Sequence, residues 1–319
     1  MRAAYHETEG GLDVLQYGEV PDPELGPNDV LVRVQTTSMD RLDVFTREGS
    51  HGQGVVGDRY IGGRDFAGTV EALGSEVRGF EVGQRVAGTG SSTHAELAVA
   101  SAVGTFAIPD NLSFDEAGSA PTAGRSAHGA LIDKARIQPG ETVLVIAAGS
   151  GVGSFALQIS KAAGCRVIAT AGAADKCQQA LDLGADAAIN HYEDNIAARV
   201  RELTGGRGVE VVCDSVGTPV WRACTDSLAP EGRFVTCGVT AGHLASIHLG
   251  RLFTMGHAYM GIGRPSPHEI RRTLTGLFHM LEQGSIRSIV HAKFPLADIA
   301  QAHELMEGST FFGKIVLNP

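Results

Sequence analysis

The sequence predicts an α/β protein built from a doubly wound parallel-sheet domain and a second, mostly β domain. Three observations carry that reading. From about Leu112 onward, continuous apolar runs alternate with Ala-rich helical stretches, as the strands of a parallel sheet covered on both faces do. Up to about Ile108 the pattern is instead short β-type runs broken by Gly and Pro. Within the later region an apolar run leads into a Gly-rich turn and then a helix.

The early runs are Asp29 to Gln35, Asp65 to Leu73, Gln84 to Ala87 and Ala95 to Val99, which predict an all-β, barrel-like half. The later runs, Thr142 to Ala147, Arg166 to Thr170, Val209 to Cys213 and Arg233 to Cys237, predict the parallel sheet. After about Gly263 come a helix from His268 to Gln283, short strands, a helix from Leu296 to Met306, and a last strand from Lys314 to Leu317. No internal repeat or low-complexity segment appears, so two lobes are expected, with boundaries at 1–117, 118–263 and 264–319.

A chain of 319 residues with 43% hydrophobic and 19% charged residues can bury a large core. Its net charge of −10 and pI near 5.6 provide no basic field for phosphates, so neither nucleic acid nor an anionic membrane is an expected partner. A small or neutral substrate fits better. The stretch Met1 to Leu15 has no apolar core of signal-peptide length. The uncharged stretch between Glu141 and Lys161 is broken by Gly149, Ser150, Gly151 and Gly153, and is too short for a membrane span. Five cysteines, Cys165, Cys177, Cys213, Cys224 and Cys237, form no Cys-x-x-Cys pair and suit buried thiols in the cytoplasm better than a disulfide framework.

The chemistry-bearing motif is Ala148-Gly149-Ser150-Gly151-Val152-Gly153, between the apolar run and a helix whose Val152, Phe155, Ala156 and Ile159 form one stripe. Backbone N–H groups at such a helix start can meet a pyrophosphate if no side chain blocks the approach, and Gly151 and Gly153 supply that access. Strand two ends Ile168-Ala169-Thr170-Ala171-Gly172-Ala173 without the acid that would hold a ribose 2′-OH, and Lys176 follows to pair with a 2′-phosphate. NADPH is therefore the expected cofactor.

Several stretches, among them Ser38-Met39-Asp40-Arg41-Leu42-Asp43, Gly63-Arg64-Asp65-Phe66-Ala67-Gly68, Phe80-Glu81-Val82-Gly83, the Gly151-Val152-Gly153 turn, Leu183-Gly184-Ala185-Asp186 and Gly313-Lys314-Ile315-Val316-Leu317, run through nearly the whole chain. Together they resemble the zinc-free, zeta-crystallin-like quinone oxidoreductase branch of the medium-chain dehydrogenase/reductase superfamily. The resemblance implies a GroES-like substrate domain built from both chain ends, a Rossmann domain inserted between them, an active site in the cleft, and a homodimer joined through His257 to Ile262. It also places Ser150, Gly151, Val152 and Gly153 at the phosphates and Gly172, Lys176, His191 and Tyr192 around the 2′-phosphate. Ser126, Val216, Gly238, Val239, Thr240, Gly261 and Ile262 then fall near the nicotinamide. Ser150 stands where Gly is frequent in the family, and His191 with Tyr192 where many members have Tyr.

Zinc-dependent members hold their metal with Cys, a Gly-His-Glu motif and a further Cys or Asp. Those positions read here as Asp40, Gly63-Arg64-Asp65 and Thr122, and no Cys precedes Cys165, so no metal is expected. Without a Lewis acid the acceptor must itself be electrophilic, and a quinone or an enone accepts a hydride at carbon while delocalising the oxyanion. The proton donor stays open between His51 and Tyr60, with Asp40 orienting substrate or ribose, and Arg64 with Asp65 reads as a structural ion pair. The segments Arg47 to Tyr60 and Leu244 to Phe253 are expected to line the pocket. Two rivals remain: an enoyl-thioester reductase, which would need more than the scattered Arg251, Arg264, Arg271 and Arg272 at its entrance, and an NADPH-binding structural or RNA-binding protein with little turnover.

Overall fold

The computed structural model describes residues 1–55 and 57–319. The described chain forms two compact units, Met1–Thr122 with Ser266–Gln283 and Ser288–Pro319, and Ala123–Pro265 with Gly284–Arg287.

The first unit opens with β1 (Arg2–His6), β2 (Gln16–Glu19), β3 (Asp29–Ser38), α1 (Arg41–Glu48), β4 (Tyr60–Ile61), β5 (Asp65–Leu73), β6 (Arg85–Thr89), β7 (Leu97–Ser101), β8 (Thr105–Ala107) and α2 (Phe114–Ser119). β3 pairs antiparallel with β5 and β7, and β5 with β6, so alternate residues face one core of Val30, Val32, Phe66, Val70 and Val86. A small sheet β2-β1-β4 stands beside it in the same unit.

The expectation of an all-β half is corrected by α1 and α2. α1 hides from a periodicity reading because its buried residues are Asp43, Val44, Thr46 and Arg47, three of them polar. The Asp43 carboxylate accepts the Asp40 N–H at 2.8 Å to start the helix, and Gly49 ends it in the left-handed conformation at φ +65°.

Helix α3 (Pro121–His128) and a π-helical turn lead into the second unit. It contains β9 (Thr142–Val145), α4 (Gly151–Ala162), β10 (Arg166–Ala171), α5 (Ala174–Asp182), β11 (Ala187–Asn190), α6 (Ile196–Leu203), β12 (Val209–Asp214), α7 (Trp221–Ser227), β13 (Leu228–Thr236), α8 (Leu249–Met255) and β14 (Ala258–Gly261). All six strands are parallel, in the order β11-β10-β9-β12-β13-β14, which is the doubly wound dinucleotide-binding topology with its switch point between β9 and β12. Leu144, Ile168, Ile189, Val212 and Phe234 form its core, so the continuous apolar runs are strands buried on both faces. β13 starts at Leu228 rather than Arg233 and ends before Cys237. Pro230 and Gly232 sit inside the strand, with Glu231 at φ +62° between them.

The chain then returns to the first unit with α9 (Pro267–Glu282), β15 (Val290–Pro295), α10 (Ile299–Gly308) and β16 (Lys314–Asn318). α9 begins with a reciprocal cap in which Ser266 Oγ accepts the Glu269 N–H and Glu269 accepts the Ser266 N–H. β16 lies between β15 and β3, which brings Lys314 into the core of the unit. All five cysteines are free, and no helix among the described residues is long and apolar enough to cross a membrane.

Candidate active site

In the second unit the expected cofactor residues fall into three groups at the carboxyl ends of the parallel strands. The first is the turn after β9. Ala147 holds φ +53°, a conformation costly for a side chain with Cβ, and its N–H is tied to Thr170 Oγ1 at 3.0 Å. Ser150 caps α4 by accepting the Gly153 N–H at 3.0 Å, which accounts for a hydroxyl where glycine is frequent. A Cβ on Gly153 would run into the Ala147 carbonyl, so the close approach of turn and helix needs glycine there.

The second group follows β10 and β11. A Cβ on Gly172 would lie 2.7 Å from the Tyr192 ring and 3.1 Å from His191 Nε2, and the two rings meet edge-on at 4.6 Å. Burial and then the nearby Lys176 charge hold His191 below the usual imidazole range, and burial lowers Lys176 itself. The structure thus brings Gly172, Lys176, His191 and Tyr192 into one neighbourhood. Tyr192 is 83% exposed, which leaves its ring open to solvent.

The third group joins the ends of β12, β13 and β14. Thr240 donates its N–H and hydroxyl to Ser215 O, the Ala241 N–H reaches Val216 O, and the Ile262 N–H reaches Thr236 O. Val216, Gly238, Val239, Thr240, Gly261 and Ile262 therefore share one cluster. Its anchor went unread in the sequence: Asp214, 1% exposed, accepts the N–H groups of Val216 at 2.9 Å and Gly217 at 3.0 Å. Burial pushes its carboxyl up to about 6 against those bonds. The one available signal was an acid ending an apolar strand. Ser126 lies on α3, within the second unit.

In the first unit the three candidate proton-handling residues occupy different surroundings. His51 is exposed at φ +55°, stacked on Phe45 at 3.9 Å with Nδ1 beside Ser50 Oγ. Tyr60 is half-buried on β4, packs against His6 at 5.3 Å, and lines a small cavity with Asp43, His94 and His303. Asp40 precedes α1 and binds Lys314. Of the expected pocket segment Arg47 to Tyr60, Val56 lies outside the described residues. In the other segment Leu244, Leu249 and Phe253 are 74%, 70% and 86% exposed.

The Lys314 ammonium, 2% exposed, donates to Asp40 Oδ1 at 2.7 Å and Met39 O at 3.1 Å, and lies 3.6 Å from Asp65 Oδ2. Asp65, fully buried, also accepts the Thr122 N–H and the Ser38 hydroxyl. Burial and the Asp40 charge push Asp65 up to about 6, while Lys314 and those two donors pull the other way. Burial alone would lower Lys314, but Asp40 and Asp65 outweigh it and hold the ammonium above the usual lysine range. The expected Arg64–Asp65 pair is thereby corrected: Asp65 pairs with Lys314. Adjacency in sequence does not bring the two charges together: Arg64 lies just before β5, while Asp65 opens the strand and faces Lys314 of β16. Among the scattered arginines, Arg251 pairs with Asp226 and Arg271 lies over the Phe106 ring at 4.4 Å.

Residues 26–119 match the family model of the alcohol dehydrogenase GroES-like domain, and residues 151–279 that of the zinc-binding dehydrogenase. A quinone oxidoreductase of Pseudomonas aeruginosa is 34% identical over 97% of this chain and 97% of its own length. The chain belongs to the quinone oxidoreductase branch of the medium-chain dehydrogenase/reductase superfamily. It is an oxidoreductase with the GroES-like and Rossmann-like domains of that superfamily. A mycobacterial protein solved in complex with NADPH superposes with a TM-score of 0.91 at 31% identity, and a protein described as an NAD-dependent alcohol dehydrogenase with 0.90 at 32%, each over the full length of both chains.

Two groups familiar in this superfamily can be tested against the residues present. A dinucleotide fits the second unit, where the Gly153 approach, the α4 start and the Gly172–Lys176–His191 neighbourhood suit pyrophosphate and phosphate. A zinc ion does not fit the first unit, although one matched family model carries zinc in its description. Asp40 and Asp65 are already bound to an ammonium, Thr122 is engaged through its backbone, and Arg64 adds a second positive charge.

Proposed function

We propose that this oxidoreductase uses NADPH to reduce quinones or other activated α,β-unsaturated carbonyls, with no metal at the acceptor. The observation that carries the reading is the Lys314 ammonium seated between Asp40 and Asp65, where zinc-dependent relatives would bind their Lewis acid. Acceptors that need such an acid, simple ketones above all, are then poor substrates, whereas quinones and enones delocalise the arriving charge themselves.

Bound NADPH supplies a hydride from C4 of its nicotinamide. The chain's part is binding, orientation and proton supply. The N-terminus of α4, opened by Gly151, Val152 and Gly153 and capped by Ser150, holds the pyrophosphate. Lys176, with Gly172, His191 and Tyr192, receives the 2′-phosphate. Ser126, Val216, Gly238, Val239, Thr240, Gly261 and Ile262 shape the nicotinamide site, held by the Asp214 staple. Asp40, whose Oδ2 is buried without a hydrogen-bond partner, orients a hydroxyl of cofactor or substrate. His51 or Tyr60 delivers the proton that completes the hydroquinone or enol.

The protein is proposed to work in the cytoplasm as a homodimer. In support, β14 is an edge strand of the parallel sheet, and Leu244, Leu249 and Phe253 in the same unit expose apolar side chains that a second copy would cover. Light scattering gives the mass directly, and a monomer at micromolar concentration would overturn the dimer. The catalytic reading is tested by NADPH consumption against quinones, enones and a simple ketone. Turnover confined to the first two classes supports it; a ketone consumed at comparable kcat/KM contradicts it.

A further inference from the structure

Arg64 immediately precedes strand β5, in the position where zinc-dependent members of the superfamily place a metal-binding histidine. Its backbone is fixed: Gly63, at φ +88°, donates its N–H to Asp43 Oδ1 at 2.9 Å, and the Gly90 N–H binds Arg64 O at 2.7 Å. A Cβ on Gly63 would strike Thr93 and His94, so this turn has a single close-packed form. The side chain is held differently. Arg64 is half-buried, its Nε is shut away from water without an acceptor, and among the described residues its guanidinium forms no ion pair.

Arg125 also has a buried Nε without a partner, but it is engaged by another interaction, and other half-buried arginines have acceptors. Arg85 donates to Leu112 O, Arg166 to Leu203 O, Arg233 to Glu141 and Arg251 to Asp226. Among the described residues, the remaining arginines without an acceptor, Arg2, Arg136, Arg264 and Arg287, are exposed to water. A partly desolvated guanidinium with an orphaned donor is costly in a folded protein and calls for an acceptor from outside the chain. The nearest acid in sequence cannot supply one, because Asp65 is committed to Lys314, Thr122 and Ser38.

We propose that Arg64 is a catalytic residue that binds the carbonyl oxygen of the acceptor and stabilises the negative charge it gains during hydride transfer. The proposal rests on the reading of the chain as a reductase of activated carbonyls. Lys314 keeps the neighbouring carboxylates neutralised, and the guanidinium supplies the donors that a metal would otherwise replace. In the step, for which bound NADPH would supply the hydride with its electron pair, a C–H bond forms at the acceptor carbon and the conjugated π electrons shift to the carbonyl oxygen. The acceptor oxygen becomes an oxyanion hydrogen-bonded to Arg64, and a proton from another group completes the product. In this role Arg64 is a hydrogen-bond donor and charge stabiliser and not the proton donor.

Two readouts test this on the full-length protein. In the first, Arg64→Met and Arg64→Lys are compared with wild type for kcat/KM toward a quinone and an enone, for NADPH affinity, and for the urea midpoint. Arg64→Met is expected to lose about a hundredfold or more in kcat/KM, with NADPH affinity within about twofold, the loss of one donor to a developing oxyanion. Arg64→Lys, which keeps the charge without the planar fork, falls between the two. The second readout needs no turnover: 4-nitrophenol serves as an oxyanion mimic, its phenolate band followed by absorbance with and without NADPH. Wild type should stabilise the phenolate and lower its apparent pKa, and Arg64→Met should not. Wild-type rates in Arg64→Met, a loss found only in NADPH affinity, or phenolate binding unchanged by the substitution would each overturn the proposal. If wild type consumes no NADPH with any acceptor, the reductase reading fails on its own, while the phenolate comparison still decides whether Arg64 is an oxyanion site. Should Arg64→Met not fold, Arg64→Lys carries both readouts.

Discussion

Lys314 Nζ and Asp40 Oδ1 stand 2.7 Å apart although 274 residues separate them, and this contact closes the first unit on itself. It joins the last strand of the chain to the residue before α1. With Asp65 on its other side, the ammonium is one cation for two carboxylates. Lys314→Met removes that cation and leaves both acids in a buried setting, which should lower stability by about 3–5 kcal/mol in urea unfolding. The deficit should shrink as pH falls and the carboxylates are protonated. A stability within error of wild type at neutral pH would contradict the arrangement.

Lys176 is the residue expected to select the cofactor. Its ammonium lies near His191, with no acid at the end of β10 to hold a ribose diol. Lys176→Ala should raise the KM for NADPH about tenfold, the scale of one charge-assisted hydrogen bond, and leave that for NADH nearly unchanged. Steady-state kinetics with both cofactors reads this directly, and an equal loss for the two would assign Lys176 to the solvated face of α5.

Gly153→Ala tests the cradle at α4. The added methyl would meet the Ala147 carbonyl, backbone that cannot swing aside, so the turn after β9 must open. A cost of about 1–3 kcal/mol is expected from such overpacking, together with a loss of NADPH binding measurable by fluorescence titration. Binding as tight as wild type would show that the turn does not approach the cofactor.

The parallel sheet was legible because its strands are buried on both faces and need no alternation to be seen. The Gly-rich turn was legible because close backbone approach leaves few residue choices. α1 was not, since its buried face is Asp43, Thr46 and Arg47 rather than an apolar stripe. The pairing of Arg64 with Asp65 failed for a related reason: charge partners are set by the faces of strands and by distant strands such as β16, and neither appears in local sequence. Asp214 escaped because a staple that binds backbone N–H groups has no partner residue to notice.

His303 offers a test by pH. It is 3% exposed, and burial, then His94, Arg47 and His6, push its imidazole down to about 3. Arg47 Nη1 lies 3.5 Å from its Nδ1. In the unfolded chain it titrates near about 6.5. Neutral in the fold, it contributes stability that is complete above that value and lost as pH falls toward its folded pKa. Asp65 and Asp214, both pushed up to about 6, act in the opposite sense, their contribution falling as pH rises from about 4 through 6. His303→Gln isolates the first effect: between pH 6 and 4 its stability should fall less steeply than that of wild type, by about 1.4 kcal/mol per pH unit. Parallel curves would mean that His303 is charged in the fold.

The most direct test of the central claim is the steady-state rate of nicotinamide oxidation by the purified protein, with NADPH and NADH each offered a panel of ortho- and para-quinones, enones and a simple aldehyde, before and after treatment with a strong chelator. The account predicts that quinones or enones are reduced, that NADPH is preferred, and that chelation changes nothing. Tight NADPH binding without turnover of any acceptor, or activity confined to the aldehyde and abolished by the chelator, would contradict it.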